Sequence, residues 1–255
     1  MEQFNKEYIV KNKNNTISKI NEYLDNCLLL DNKHIKKANL LSYWLRDYIK
    51  YIEQEETFNS SKLKSYSRGD VIKVNLGFNI GNEEGGLHYC IVLDKKNSKT
   101  FSTLTVIPLS SLKPSTKANN TSVYIGNELY ESLSLKNASL LLDAKSKLDI
   151  FKNDLKSIYM LPEDTTENKI IKDFKIKEIM SKIQASSNKL ELVEKINGEL
   201  EQMKTGSIAL INQITTISKQ RIYNPKKDFD ILSGIQISNE KMKLIDEKLK
   251  KLYIN

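Results

Sequence analysis

An α+β fold is predicted for this chain, with an antiparallel sheet, helices at both ends and a helical hairpin inserted between strands. Three observations predict it. Residues 66–111 hold three strand-like runs in succession. On both sides of that stretch, apolar residues recur at spacings of three and four, the pattern of amphipathic helices. After about 80 residues of helical pattern, strand character returns at Ser207.

In chain order, residues 1–15 are polar and are expected to be loosely held. Thr16 is the expected N-cap of a helix reaching about Leu30, and Asp31-Asn32 breaks it. In the next helix Ala38, Leu41, Leu45, Tyr48 and Ile52 alternate with Lys36, Lys37, Arg46, Asp47 and Lys50. This stripe, with Trp44 beside it, is expected to dock on the sheet or on a second chain. Asn59-Ser60-Ser61 then links to the strands.

The first strand is expected over 70–78, where Ile72, Val74, Leu76 and Phe78 alternate with Lys73, Asn75 and Gly77. Asn79-Ile80-Gly81-Asn82-Glu83-Glu84-Gly85-Gly86 is too poor in apolar groups to be anything but a loop, and His88 leads out of it. The second strand, 89–93, is continuously apolar; the third, 104–109, delivers Ser110 and Ser111 at its end. A turn-rich loop follows over 113–120, then a short strand over 122–125.

The insertion begins with a helix marked by Leu140, Leu148, Phe151, Leu155 and Ile158, ending before Pro162. A longer one follows with nearly heptad spacing through Ile176, Ile179, Ile183, Leu190, Val193 and Leu200, and Gly206 stops it. An antiparallel hairpin is the economical arrangement, packed on the amino-terminal helices or a partner chain. Residues 207–217 restore a strand, and Ser238 caps a closing helix through Met242, Ile245, Leu249 and Leu252. The expected organisation is a helical extension over 1–60, a sheet domain over 61–128 and 206–255, and a helical insertion over 129–205.

Composition sets limits on function. The formal net charge is +8, from 40 basic and 32 acidic residues, which suits a polyanionic partner without requiring one. No apolar stretch approaches the roughly 18 residues of a spanning helix, so a soluble, cytoplasmic protein is expected, with no membrane partner. The two cysteines, Cys27 and Cys90, lie in apolar runs and read as reduced, buried thiols. With two histidines in the chain, zinc ligands at usable spacing are lacking.

Three blocks in order, Arg68-Gly69-Asp70-Val71, the glycine-rich 81–86 loop and Leu210-Ile211-Asn212-Gln213-Ile214-Thr215-Thr216-Ile217-Ser218-Lys219-Gln220-Arg221-Ile222, resemble the MazF/PemK family of toxin endoribonucleases. The resemblance implies a small, strongly bent antiparallel β-barrel of the PemK/CcdB-like kind. It also implies the toxin of a type II toxin-antitoxin system, a metal-independent, sequence-selective endoribonuclease. Such a toxin cleaves single-stranded RNA, mainly mRNA, leaving a 2′,3′-cyclic phosphate and a 5′-hydroxyl. No cofactor is implied. Expected partners are the RNA substrate, a cognate antitoxin through which the complex binds DNA, and a second copy in a homodimer. The alternatives are a CcdB-like gyrase-binding toxin, because the fold is shared, and a non-catalytic RNA-binding scaffold.

Metal-free RNA cleavage needs a base for the 2′-hydroxyl proton, an acid for the leaving 5′-oxygen and donors for the phosphorus oxygens. Histidine serves either proton transfer, since its ordinary pKa of about 6.5 populates both forms near neutrality. His34 stands in a lysine-rich helix start, whereas His88 stands where the loop meets a strand. On chemistry alone His88 reads more readily as a structural histidine than as a catalytic one. In the family pattern the loop ends Gly-Gly-x-Arg-Pro with a catalytic arginine; aligning the paired glycines puts His88 at the arginine and Tyr89 at the proline. A titratable group then replaces a permanent cation, and part of the phosphate stabilisation must come from elsewhere.

The family's second active residue, a threonine ending the third strand, corresponds to Ser110, with Ser111 its neighbour one register away. By its residue type, either serine also suits a strand-end turn. Asn79, Asn82, Lys95 and Lys96 are candidate RNA contacts, amides for base edges and ammoniums for phosphates. Glu83, with Glu84, orients His88, reads a base edge or simply solvates the loop. Arg68-Gly69-Asp70 reads as the shaping of a strand start, and Asn212 and Gln213 as hydrogen-bonding groups inside a strand.

Overall fold

The computed structural model describes residues 5–112, 120–162 and 164–254. The turn expected over 113–120 therefore falls almost wholly outside the described residues. The chain forms two compact units, one running to Phe58 and including Leu76–Gly86, the other holding Asn59–Asn75 and everything from Leu87 on.

In the first unit, α1 (Lys6–Leu28) and α2 (Asn32–Gln54) pack on each other. Cys27 and Ala38 are buried. Asp31 does not merely interrupt the helices: its carboxylate accepts from the backbone N–H groups of Lys33 and His34, both at 3.0 Å, and so starts α2. The expected loose start and the Thr16 cap are corrected. The helix begins at Lys6, capped by Asn5, whose Oδ1 accepts from the Glu7 N–H at 2.9 Å. Thr16 lies inside it and donates to the Asn12 carbonyl at 2.9 Å. Lysine and glutamate are good helix formers, so a polar segment need not be an irregular one. In α2 Leu41 and Leu45 are half-buried, but Tyr48 and Ile52 are exposed.

The second unit is built on an antiparallel sheet of β1 (Val71–Asn75), β2 (Leu87–Val92), β3 (Thr103–Ser111), β4 (Ser122–Gly126), β5 (Ser207–Leu210), β6 (Thr215–Ser218) and β7 (Ile222–Asn224). Its order is β4-β5-β3-β2-β1-β7, with β6 also on β3. The path is open, with β4 and β7 at its ends. β3 is shared along its length: on one edge it pairs β2, and on the other its first half pairs β6 and its last residues pair β5. The single strand expected over 207–217 is thus broken by a 3-10 turn at Ile211–Gln213, where Asn212 and Gln213 sit. The sheet bends there. Leu109↔Ala209 and Val106↔Thr215 are out of common register, so three more residues must be accommodated on the β5–β6 side.

Cys90, Ile91 and Val92 are all fully buried, which means that both faces of the sheet are covered. One face carries Val71, Ile91, Ile107 and Leu109 into a core with Leu129, Leu133, Ile196, Leu232, Ile235 and Ile245. Leu129 and Leu133 belong to α3 (Glu128–Tyr159), Ile196 to α4 (Thr166–Gln202) and Ile245 to α5 (Asn239–Tyr253). The inserted hairpin therefore seats its base in the sheet's own core. Farther along, α3 and α4 make a separate cluster of Phe151, Ile158 and Ile179. Ser238 caps α5 as expected, accepting from the Lys241 N–H at 3.3 Å, and its hydroxyl donates to Glu128 Oε1 at 2.8 Å, tying α5 to the start of α3. Among the described residues, no helix is long and apolar enough to cross a membrane.

Candidate active site

The glycine-rich loop belongs to the first unit and is closed by its own backbone. Leu76 N–H donates to the Gly86 carbonyl at 2.8 Å, and Gly86 N–H to the Gly77 carbonyl at 2.6 Å. Gly85 is required for space: a Cβ there would lie 2.8 Å from the Gly77 carbonyl oxygen. The polar residues expected to meet RNA are partly committed to the same loop. Asn79 Nδ2 donates to the Glu84 carbonyl at 2.6 Å, and Glu83 Oε2 accepts from the Ile80 N–H at 3.2 Å. Asn82 is exposed.

In the second unit, β1 and β2 place Lys73 opposite Tyr89 and Val74 opposite His88. β2 and β3 place Cys90 opposite Pro108 and Ile91 opposite Ile107. Side chains alternate across a strand, so Lys73, Tyr89, Ile91, Ile107 and Ser111 share one face. Ile72, Val74, His88, Cys90 and Ser110 share the other. The β2–β3 ladder stops at Cys90↔Pro108; two residues further along each strand, in the same register, stand His88 and Ser110. Both are half-buried. Ser110 and Ser111 are held instead through β5, opposite Ile208 and Ser207.

A cavity of about 230 Å³ opens at this end of the sheet, lined by Lys73, Tyr89, Ser110, Ser111, Glu199 and Lys204 among others. Lys73 Nζ and the Tyr89 hydroxyl both donate to Oε1 of Glu199, from the last turn of α4. The Lys73 ammonium also lies 5.0 Å from the centre of the Tyr89 ring. Burial first, and then the Glu199 carboxylate, push the Tyr89 phenol well above its ordinary range, so it stays a donor.

Sequence reasoning missed this trio. Lys73 reads as the solvent side of an alternating strand, and Glu199 as one charge among many on a long helix. The lysine inside the apolar Val-Ile-Lys-Val run of β1 was the available signal.

The remaining candidates lie elsewhere. Lys95 and Lys96 are exposed in the turn after β2, at the far end of that strand from His88; at about 3.3 Å per residue this is on the order of 20 Å away. Arg68 donates to the Leu93 carbonyl and to Asp246 of α5, and Asp70 accepts from the Ser67 N–H at 2.9 Å and from Gln236 Nε2 at 2.7 Å. The Arg68-Gly69-Asp70 block is therefore a structural tie, as expected of a strand start. Arg221 Nε donates to the Asn75 carbonyl at 2.8 Å, holding β7 to the end of β1.

Residues 67–168, the segment that carries β1 to β4 with His88 and Ser110, match the PemK-like, MazF-like toxins of type II toxin-antitoxin systems. The match covers less than half of the chain. It ends within the first turn of α4, so β5 to β7, which complete the sheet, lie outside it. No curated protein matches the chain at a significant level.

Proposed function

We propose that this chain is a type II toxin that cuts single-stranded RNA without a metal, with His88 as its proton-transfer residue and Ser110 as a donor to the scissile phosphate. The bent sheet of the second unit would be a long-form PemK-like barrel into which the α3–α4 hairpin is inserted. One observation supports the reading: within the matched segment, His88 and Ser110 lie two residues beyond Cys90↔Pro108, the last pair of the β2–β3 ladder, on neighbouring strands.

In the proposed reaction His88 takes the proton of a 2′-hydroxyl as its oxygen attacks phosphorus. The bond to the 5′-oxygen breaks and that oxygen takes a proton from water, giving a 2′,3′-cyclic phosphate and a 5′-hydroxyl. The Ser110 hydroxyl donates to a non-bridging oxygen as charge builds there. Single strands suit such a site because their bases are unstacked and their backbone can bend to bring the 2′-oxygen into line. The family further supports an antitoxin partner, a cytoplasmic setting and a homodimer as parts of the same proposal.

The test is incubation of the purified chain with a long single-stranded RNA in chelator, beside His88→Ala, followed by mapping of the ends. Discrete cuts with 5′-hydroxyl ends, lost in the variant, are expected. Cutting by both forms would remove His88 from the mechanism. Intact RNA with antitoxin-free protein would overturn the nuclease reading in favour of a gyrase-type toxin or a scaffold.

A further inference from the structure

Glu199 does not come from the strands that carry His88 and Ser110; the inserted helix α4 delivers it to the cavity at the end of those strands. Its Oε1 accepts from the Lys73 ammonium and the Tyr89 hydroxyl together. Two donors converging on one anionic oxygen also suit a phosphate oxygen. The same cavity is lined by Ser110, Ser111 and Lys204, so two lysines and one glutamate border it. Lys73 and Glu199 are each largely buried, with side chains 19% exposed, so neither could be left without a counter-charge cheaply.

We propose that Lys73 and Tyr89, with Ser111 and Lys204 around them, form a binding site for a phosphodiester of single-stranded RNA, and that Glu199 occupies this site in the free chain. The proposal rests on the nuclease reading and gives the strand a further phosphodiester contact, on the face of the sheet opposite His88. Because one anion replaces another, Lys73 stays paired throughout. Glu199 stands in the last turn of α4. An internal competitor lowers the apparent affinity by the fraction of molecules in which the site is open.

The probe is a short fluorescein-labelled oligo(dT), which lacks the 2′-hydroxyl and so cannot be cut, with binding read by anisotropy. Glu199→Gln keeps the side chain's size and removes its charge; it is expected to bind roughly tenfold more tightly than the unmodified chain, and Lys73→Met weaker by a similar factor. In the unmodified chain, the NMR resonance of the isotope-labelled Glu199 carboxylate is expected to move on saturation with oligo(dT), a readout that does not depend on any variant folding. Unchanged or weaker binding by Glu199→Gln, or a Glu199 resonance that does not move, overturns the proposal. Displacement of oligo(dT) by inorganic phosphate at an equal concentration of phosphate groups would overturn its assignment to a strand.

Cleavage assays on the same samples separate the two readings. RNA cutting with no effect of Glu199→Gln on oligo(dT) binding sinks this proposal alone. Tighter binding by Glu199→Gln with no cutting by any form sinks the nuclease reading alone.

Discussion

Lys73 and Tyr89 face each other across the β1–β2 ladder and donate to the same oxygen of Glu199. The pair joins the matched toxin segment to the far end of an inserted helix. Removing the Tyr89 hydroxyl with Tyr89→Phe leaves the ion pair but takes one donor from a largely buried carboxylate. A loss of about 1–2 kcal/mol is expected, read from the urea unfolding midpoint. An unchanged midpoint would mean that water replaces the hydroxyl.

His88→Ala is expected to lower RNA cleavage by roughly a hundredfold or more, and Ser110→Ala by roughly tenfold, with melting temperatures close to the unmodified chain. Thr103→Ala is the control, since it is exposed at the other end of β3. If Thr103→Ala costs as much cleavage as Ser110→Ala, the loss at Ser110 is not local to the site.

Lys136 of α3 donates to the carbonyls of Asp230, Ile231 and Ser233, at 3.0, 2.8 and 2.8 Å. Lys136→Met leaves these carbonyls without that partner, and a loss of about 2–3 kcal/mol is expected by denaturant unfolding. Burial, with a smaller contribution from Lys64, lowers the Lys136 pKa from 10.5 to about 8 against the pull of Asp230. Between those values the unfolded chain binds more protons at this residue than the folded chain does. Its contribution to stability therefore rises as pH climbs from about 8 towards 10.5. Lys136→Met should flatten that rise, which urea midpoints measured across the interval will show.

Gly85→Ala would set a Cβ 2.8 Å from the Gly77 carbonyl oxygen, a backbone atom that cannot simply rotate away. The loop should open at a cost of about 1–3 kcal/mol, seen as faster proteolytic nicking within residues 76–86. Gly81→Ala has open space around it but a φ of +65°, so the expected cost is smaller, about 1 kcal/mol.

Arg68 bridges the Leu93 carbonyl and Asp246, and so fixes α5 to the end of β2. Arg68→Lys keeps the charge but cannot span both acceptors with a planar fork. A loss of about 1–2 kcal/mol is expected in thermal or urea unfolding, with no change in where RNA is cut.

Much of the fold is legible in the sequence because its determinants are local. Alternation in β1, the apolar run of β2, the Ser238 cap and the Asp31 break all follow from residue type and spacing. The helix start failed as an expectation because Asn5 and the lysines after it look like a tail and behave as a capped helix. The broken strand at Ile211–Gln213 failed for a different reason: Asn212 and Gln213 read equally well as hydrogen-bonding groups within a strand, and nothing local marks the point where a partner strand changes.

The sequence by itself determined the α+β class, the hairpin insertion, the reduced cysteines and the candidates His88 and Ser110, because each depends on neighbours within a few residues. Only the tertiary structure decided which candidates come together. It ended the β2–β3 ladder two residues short of His88 and Ser110, put Lys95 and Lys96 at the other end of β2 from His88, and joined Lys73 to Glu199 across 126 positions of sequence. Such a pairing depends on how α4 returns to the sheet's core, through Ile196 packed among strand residues, and no periodicity along the chain encodes that distance.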